Sequence, residues 1–146
     1  MGYVGVPLLV ARCDERRGWG AGRPGLLNAA GLLPVAGGAA VIGWAVASHY
    51  RTAPRDSAVT LTPSYLVQNG AYAVSRNPLY LGGAAMWAGW AWFFGSRRVM
   101  AVGAAWAGAI VTIGVPFEER LLDARFGQAY RAYRDKVPRW LRLRQP

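Results

Sequence analysis

Two short polar clusters, each set against a long apolar run, hold the side chains best suited to chemistry. The first is Tyr72, Arg76, Asn77 and Tyr80; the second is Glu118 and Glu119. A carboxylate beside apolar surface can accept a substrate's proton or balance a cation. An arginine can hold an anion through paired hydrogen bonds. Each residue also has a plainer reading. The two glutamates follow Pro116 and suit the positive start of a helix, Arg76 suits a topology anchor, and Asn77-Pro78 suits a helix start. The combination and order of the clusters point to a polar site. A metal centre has no support in the sequence: His49 and Cys13 are the single members of their types, so no set of ligands stands at metal spacing.

The elements that must position these clusters are apolar. Of the 146 residues 53% are apolar and 16% charged, and the charges collect at the termini and in short loops. Residues 25–48, 79–95 and 99–117 carry no charge over 24, 17 and 19 positions. A helix of roughly 20 residues crosses the hydrocarbon core. We therefore expect an all-α integral membrane protein with about three transmembrane helices, the last two forming a tight hairpin turned at residues 95–98. Such a hairpin brings its two ends, and with them both polar clusters, to one side of the membrane. Residues 1–11 are apolar but too short to span. They lack the basic start of a secretory signal and are expected to be a half-span or an interfacial segment.

Seventeen Lys and Arg against seven Asp and Glu give a net charge of +10. With alternating loops, Arg51, Arg55, Arg76 and the tail after Phe117 place 11 basic residues on one side, and the other side has 6. The richer side is expected to be cytoplasmic, in a plasma (inner) membrane with the C-terminus inside. The charge is thus a topology signal, and nucleic acid is not needed to explain it.

Small residues Gly82, Ala85 and Gly89 form a smooth strip on the helix from Leu79, expected to face Gly103, Ala107 and Gly114 of the next helix. After Pro116 the pattern changes to Leu122, Phe126, Ala129, Tyr130, Tyr133 and Val137. That spacing predicts a C-terminal amphipathic interfacial helix stopped by Pro138. The connection over residues 50–78 is long and polar, which marks it as functional.

The spaced string Gly70-Ala71-Tyr72, Arg76-Asn77-Pro78, Tyr80 and Gly82 precedes the hairpin. Glu118-Glu119, Phe126-Gly127, Tyr130, Tyr133 and Val137-Pro138-Arg139-Trp140 follow it. Together they resemble the isoprenylcysteine carboxyl methyltransferase family of integral membrane methyltransferases, and in looser form the phospholipid methyltransferases. The likeness runs over about residues 62–141. It implies residues 1–61 as N-terminal membrane segments with a connecting loop, and 62–146 as a cofactor-binding methyltransferase core.

The resemblance further implies S-adenosylmethionine as cofactor, bound by Ser64, Tyr65, Leu66, Val67, Tyr72, Asn77, Pro78, Leu79, Tyr80 and Glu118. It implies methyl transfer to a lipid or lipidated acceptor, a carboxylate, amine or hydroxyl, with Glu118, Glu119 and Arg76 as the catalytic candidates. Two positions depart from the pattern. Asn77 stands where the family often has histidine. Gly114 stands four residues before the glutamate, where the prenylcysteine enzymes carry a carboxylate-clamping arginine, and glycine cannot make a bidentate clamp. Arg76 and Arg120 are the available substitutes. The alternatives are an NADPH-dependent sterol-type membrane reductase, which shares the Arg-x-Pro-x-Tyr hairpin, and a non-catalytic membrane scaffold that keeps a relic of the fold.

Overall fold

Helix α4 (Pro78–Phe94) is the hub of the protein: α1 (Gly2–Arg12), α3 (Leu32–Thr52) and α5 (Arg97–Ala109) all pack on it. The computed structural model describes residues 2–52 and 65–141. A short helix α2 (Leu26–Ala29) leads into α3. After α5 come a π-turn (Ile110–Gly114), α6 (Val115–Phe126) and α7 (Gln128–Lys136).

Leu26–Thr52 and Arg97–Phe126, of 27 and 30 residues, are long and apolar enough to cross a membrane. Only 17% of the most apolar stretch of each is buried within the protein, the reverse of a soluble core helix. Their exposed apolar flanks suit lipid. The third expected span corresponds to α4, with 17 residues. At 1.5 Å per residue it is about 26 Å long, slightly short of the ~30 Å hydrocarbon core. Asn77 caps α4 and Pro78 opens it, as the Asn-Pro pair predicts.

The smooth strip on α4 faces α3 rather than α5. A Cβ on Gly82 would meet the Gly38 carbonyl at 2.7 Å, and one on Gly89 would meet the Gly31 carbonyl at 2.7 Å. The two glycine pairs, each seven residues apart, lie against one another in antiparallel register. Gly103 of α5 packs instead on the Trp87 ring, beside Phe94, Val99 and Ala11 in the central apolar cluster.

Residues 12–24 contain a two-stranded hairpin, Trp19–Gly20 with Arg23–Pro24. Two other expectations change. Pro116 does not end the hairpin's second arm. The π-turn just before it loosens the ladder at the point where proline has no N–H to give, and the helix runs on to Phe126. The break comes at Gly127, whose φ of +50° favours a residue without Cβ. The apolar side of α7, Tyr130, Tyr133 and Val137, packs on Leu66, Leu122 and Phe126. It therefore covers protein, leaving Arg131, Arg134 and Lys136 outside.

The hairpin end far from both polar clusters is closed by hydrogen bonds. Ser96 caps α5 by accepting from the Val99 N–H at 3.1 Å, and it donates to Asp14 at 2.6 Å. Asn28 donates to the carbonyls of Arg17, Trp92 and Phe93 at 2.9–3.2 Å. These bonds fix α1, α2 and α4 together at that end.

Candidate functional site

At the opposite end the two polar clusters meet. The Tyr80 hydroxyl donates to the Glu118 carboxylate at 3.0 Å. The register that allows this is set by the α4–α5 turn and by the π-turn that precedes α6.

The loop before α4 is held on both sides. Its 3-10 turn (Gly70–Ala73) seats on α3 through Ser48, whose hydroxyl donates to the Trp44 carbonyl at 2.7 Å and accepts from the Ala71 N–H at 3.1 Å. Gly70 has φ +57°, and a Cβ there would run into the Ser48 hydroxyl, so glycine is required on both counts. From the other side, Tyr133 donates to the Tyr72 carbonyl at 2.7 Å. The Arg76 N–H donates to the Pro138 carbonyl at 3.0 Å, and Asn77 donates to the Arg139 carbonyl at 3.0 Å. The role of Asn77 in the structure is thus to bind the backbone of residue 139.

A cavity of about 680 Å³ opens between these elements. Tyr65, Leu66, Val67, Tyr72, Arg76, Leu79, Tyr80 and Glu118 line it, so eight of the predicted site residues converge there. A second cavity of about 190 Å³ shares Tyr72, Arg76, Leu79, Tyr80 and Glu118, and adds Asn77 and Pro78. The Tyr80–Glu118 pair is common to both. Ser64 lies outside the described residues. Gly114 lines the larger cavity, whereas Arg120 is exposed and lines neither.

Glu119 also lines neither cavity. Its carboxylate accepts from Arg76 at 2.7 Å and from Arg139 at 3.1 Å, with a second, shorter contact to Arg139. Arg76 is nine-tenths buried and also donates to the Tyr130 hydroxyl at 3.2 Å. The two adjacent glutamates therefore differ in kind. Glu119 is charge-balanced and enclosed, while Glu118 has no cationic partner among the described residues. Burial, aided by the Glu118 charge, pushes the Tyr72 phenol up to about 12, so it stays neutral at physiological pH. Burial likewise pushes the Tyr133 phenol up, which keeps it a donor to the Tyr72 carbonyl.

Sequence reasoning missed the wall that α3 supplies: Val46, His49 and Tyr50. They fall at i, i+3 and i+4 on one face, and this spacing was the available signal. The His49 ring is hydrogen-bonded to the Tyr65 hydroxyl, which ties the loop to α3. Phe117, Leu121 and Leu122 of α6 complete the lining. Tyr50 and Phe117 are 63% and 61% exposed, so the cavity opens outward between α3 and α6.

The volume lies within the roughly 300–1,000 Å³ usual for small-molecule sites, and the mostly apolar wall with a few convergent polar groups is also typical. No curated protein and no solved structure matches the chain. The family model for phospholipid methyltransferase matches residues 28–129, from α2 through α6 into α7, and so takes in both polar clusters and the α3 wall. With more than two thirds of its length matched, the chain belongs to the phospholipid methyltransferase family.

Proposed function

We propose that the protein transfers a methyl group from S-adenosylmethionine to a lipid or lipidated acceptor at the cytoplasmic face of the membrane. The observation that carries this reading is the 680 Å³ cavity shared by the pre-hairpin loop, the start of α4 and Glu118. Its residues fit the cofactor chemically. Tyr65, Tyr72 and Phe117 offer aromatic surface for a planar base, Leu66, Val67 and Leu79 offer apolar wall, and Glu118 offers an unbalanced carboxylate for a cationic group.

Bound there, the cofactor would supply an electrophilic methyl group for in-line displacement, with S-adenosylhomocysteine as the leaving group. The chain's contribution is mainly alignment and exclusion of water. Tyr80 fixes the Glu118 carboxylate by its hydrogen bond. Where the acceptor carries a proton, Glu118 is the group placed to take it at Oε1 or Oε2. We assign Glu119 to holding Arg76, and Arg76 to shaping the wall. The opening beside Tyr50 and Phe117 gives an acyl chain a sideways entry from the bilayer, with α4 taken as the third span. Arg51, Arg76 and the basic residues of α6 and α7 lie at this same end, which supports a cytoplasmic placement.

The test is thermal stability of detergent-purified protein with S-adenosylmethionine, S-adenosylhomocysteine and NADPH. A ligand at 100 times its Kd stabilises the native state by about 2.7 kcal/mol. Stabilisation by the two adenosyl ligands is expected, and it should be weakened in both Glu118→Gln and Tyr80→Phe. A response to NADPH alone, or to none of the three, overturns the proposal.

A further inference from the structure

The last turn of α3 grips the loop before α4 at three points, and the outermost has no part in the methyl-transfer reading. Ser48 accepts from the Ala71 N–H at 3.1 Å. One turn further on, the Thr52 hydroxyl lies 2.9 Å from the Asn69 side chain. Ser48 and Thr52 stand at i and i+4 and share a face, which secures residues 69–71. The third point is His49, whose Nε2 is hydrogen-bonded to the Tyr65 hydroxyl, with the two rings 5.0 Å apart.

Residues 65–67 depend on this third point in a way that residues 69–71 do not. Leu66 packs on Tyr130, Tyr133 and Val137, on the α7 side of the larger cavity, whereas Tyr65 reaches α3. The segment thus runs across the cavity from α7 to α3 and gives Tyr65, Leu66 and Val67 to its wall. Apolar contact fixes the α7 end. At the α3 end the wall is Val46, His49 and Tyr50, and His49 makes the directional bond to the loop. A neutral imidazole with its proton on Nδ1 accepts at Nε2, and the phenol donates. Unmade, that bond would leave two polar groups facing a mostly apolar cavity, so each partner holds the other's orientation.

We propose that His49 is a positioning residue, which through its bond to Tyr65 holds the wall of residues 65–67 closed on the adenosyl portion of the cofactor. The identity of the ligand rests on the methyltransferase reading; the strut between α3 and the loop does not. His49 touches no reacting atom. It sets the plane of the Tyr65 ring, and the ring meets the planar base.

Two measurements on the untagged full chain in detergent test the strut. His49 is the only histidine, so imidazole nitrogen NMR of the ligand-free protein reads this ring alone. Tyr65→Phe is expected to shift the Nε2 resonance, and an unmoved resonance overturns the bond. Calorimetry with S-adenosylhomocysteine then reads the positioning. His49→Leu and Tyr65→Phe should each weaken binding by about 5- to 30-fold, and the double variant should be no weaker than either single. His49→Gln, whose amide oxygen can accept in the same place, should stay within about threefold of wild type. Additive losses, or glutamine as damaging as leucine, overturn the positioning role. Wild-type affinity in every variant overturns it too, and leaves the methyltransferase reading in place. Should the wild-type protein not bind S-adenosylhomocysteine while Tyr65→Phe still shifts the resonance, the methyltransferase reading fails and the His49–Tyr65 strut stands.

Discussion

Replacing each of the two adjacent glutamates with glutamine separates support from function. Glu119 sits between Arg76 and Arg139, and Arg76 and Glu119 are 10% and 17% exposed. Removing one partner of an enclosed pair leaves the other charge uncompensated, at a cost of about 3–5 kcal/mol. Glutamine keeps an acceptor for Arg76, and Tyr130 still accepts from it, so Glu119→Gln is expected at the lower end, about 3 kcal/mol. The Arg139 half of the bridge is more exposed and adds at most about 1 kcal/mol. Glu118 has no such partner to lose, and Glu118→Gln should change stability by no more than about 0.5 kcal/mol while it weakens cofactor affinity. Unfolding in graded sodium dodecyl sulfate, followed by tryptophan fluorescence, gives the stabilities; calorimetry with S-adenosylhomocysteine gives the affinities. A double variant, Arg76→Met with Glu119→Leu, should be milder than the sum of its singles because it leaves no enclosed orphaned charge, only the more exposed Arg139. Strict additivity, or a Glu119→Gln cost below about 1 kcal/mol, refutes the charge-balance argument. A loss of stability in Glu118→Gln to match that of Glu119→Gln refutes the division of roles.

Two further outcomes follow from the packing. Burial pushes the Tyr72 phenol from its ordinary 10.0 up to about 12 in the folded protein. Its folded pKa is raised, so its contribution is fully present below pH 10 and is lost as pH rises through 12; an alkaline unfolding series should show this loss, and Tyr72→Phe should remove it. Gly38→Ala would bring a Cβ within 3.0 Å of backbone atoms of α4. The helices must separate, so a drop of about 1–3 kcal/mol is expected, with methyl-transfer activity falling as α3 withdraws from the cavity; an unchanged unfolding midpoint would contradict the close crossing.

The meeting of the two polar clusters was legible because a hairpin with so short a turn has little freedom in where it puts its ends. Chain connectivity brings Tyr80 and Glu118 to one end, and the π-turn before α6 sets their register. The partner of the Gly82–Gly89 strip was less legible, because a groove of small residues admits any helix. The matching seven-residue interval at Gly31 and Gly38 was the clue that favoured α3. The amphipathic pattern of α7 carried a similar ambiguity. Tyr130, Tyr133 and Val137 make the same stripe whether they face lipid or Leu66 and Leu122, and only the tertiary contacts decide. Pro116 misled because a proline ordinarily ends or kinks a helix, and the accommodating π-turn has no sequence signature of its own. His49 was readable as a residue at a helix end, but its bond to Tyr65 spans a segment whose path the sequence does not dictate.

The strap formed by Tyr133, Pro138 and Arg139 has a consequence for biosynthesis. Both arms of the greasy hairpin can enter the bilayer before those residues fold back onto it. The loop bearing Tyr72, Arg76 and Asn77 gains its backbone partners only afterwards, when α7 folds back over it. The protein thus becomes membrane-embedded first and competent to bind second, and a chain truncated near Gly127 would be anchored but without a floor to its pocket.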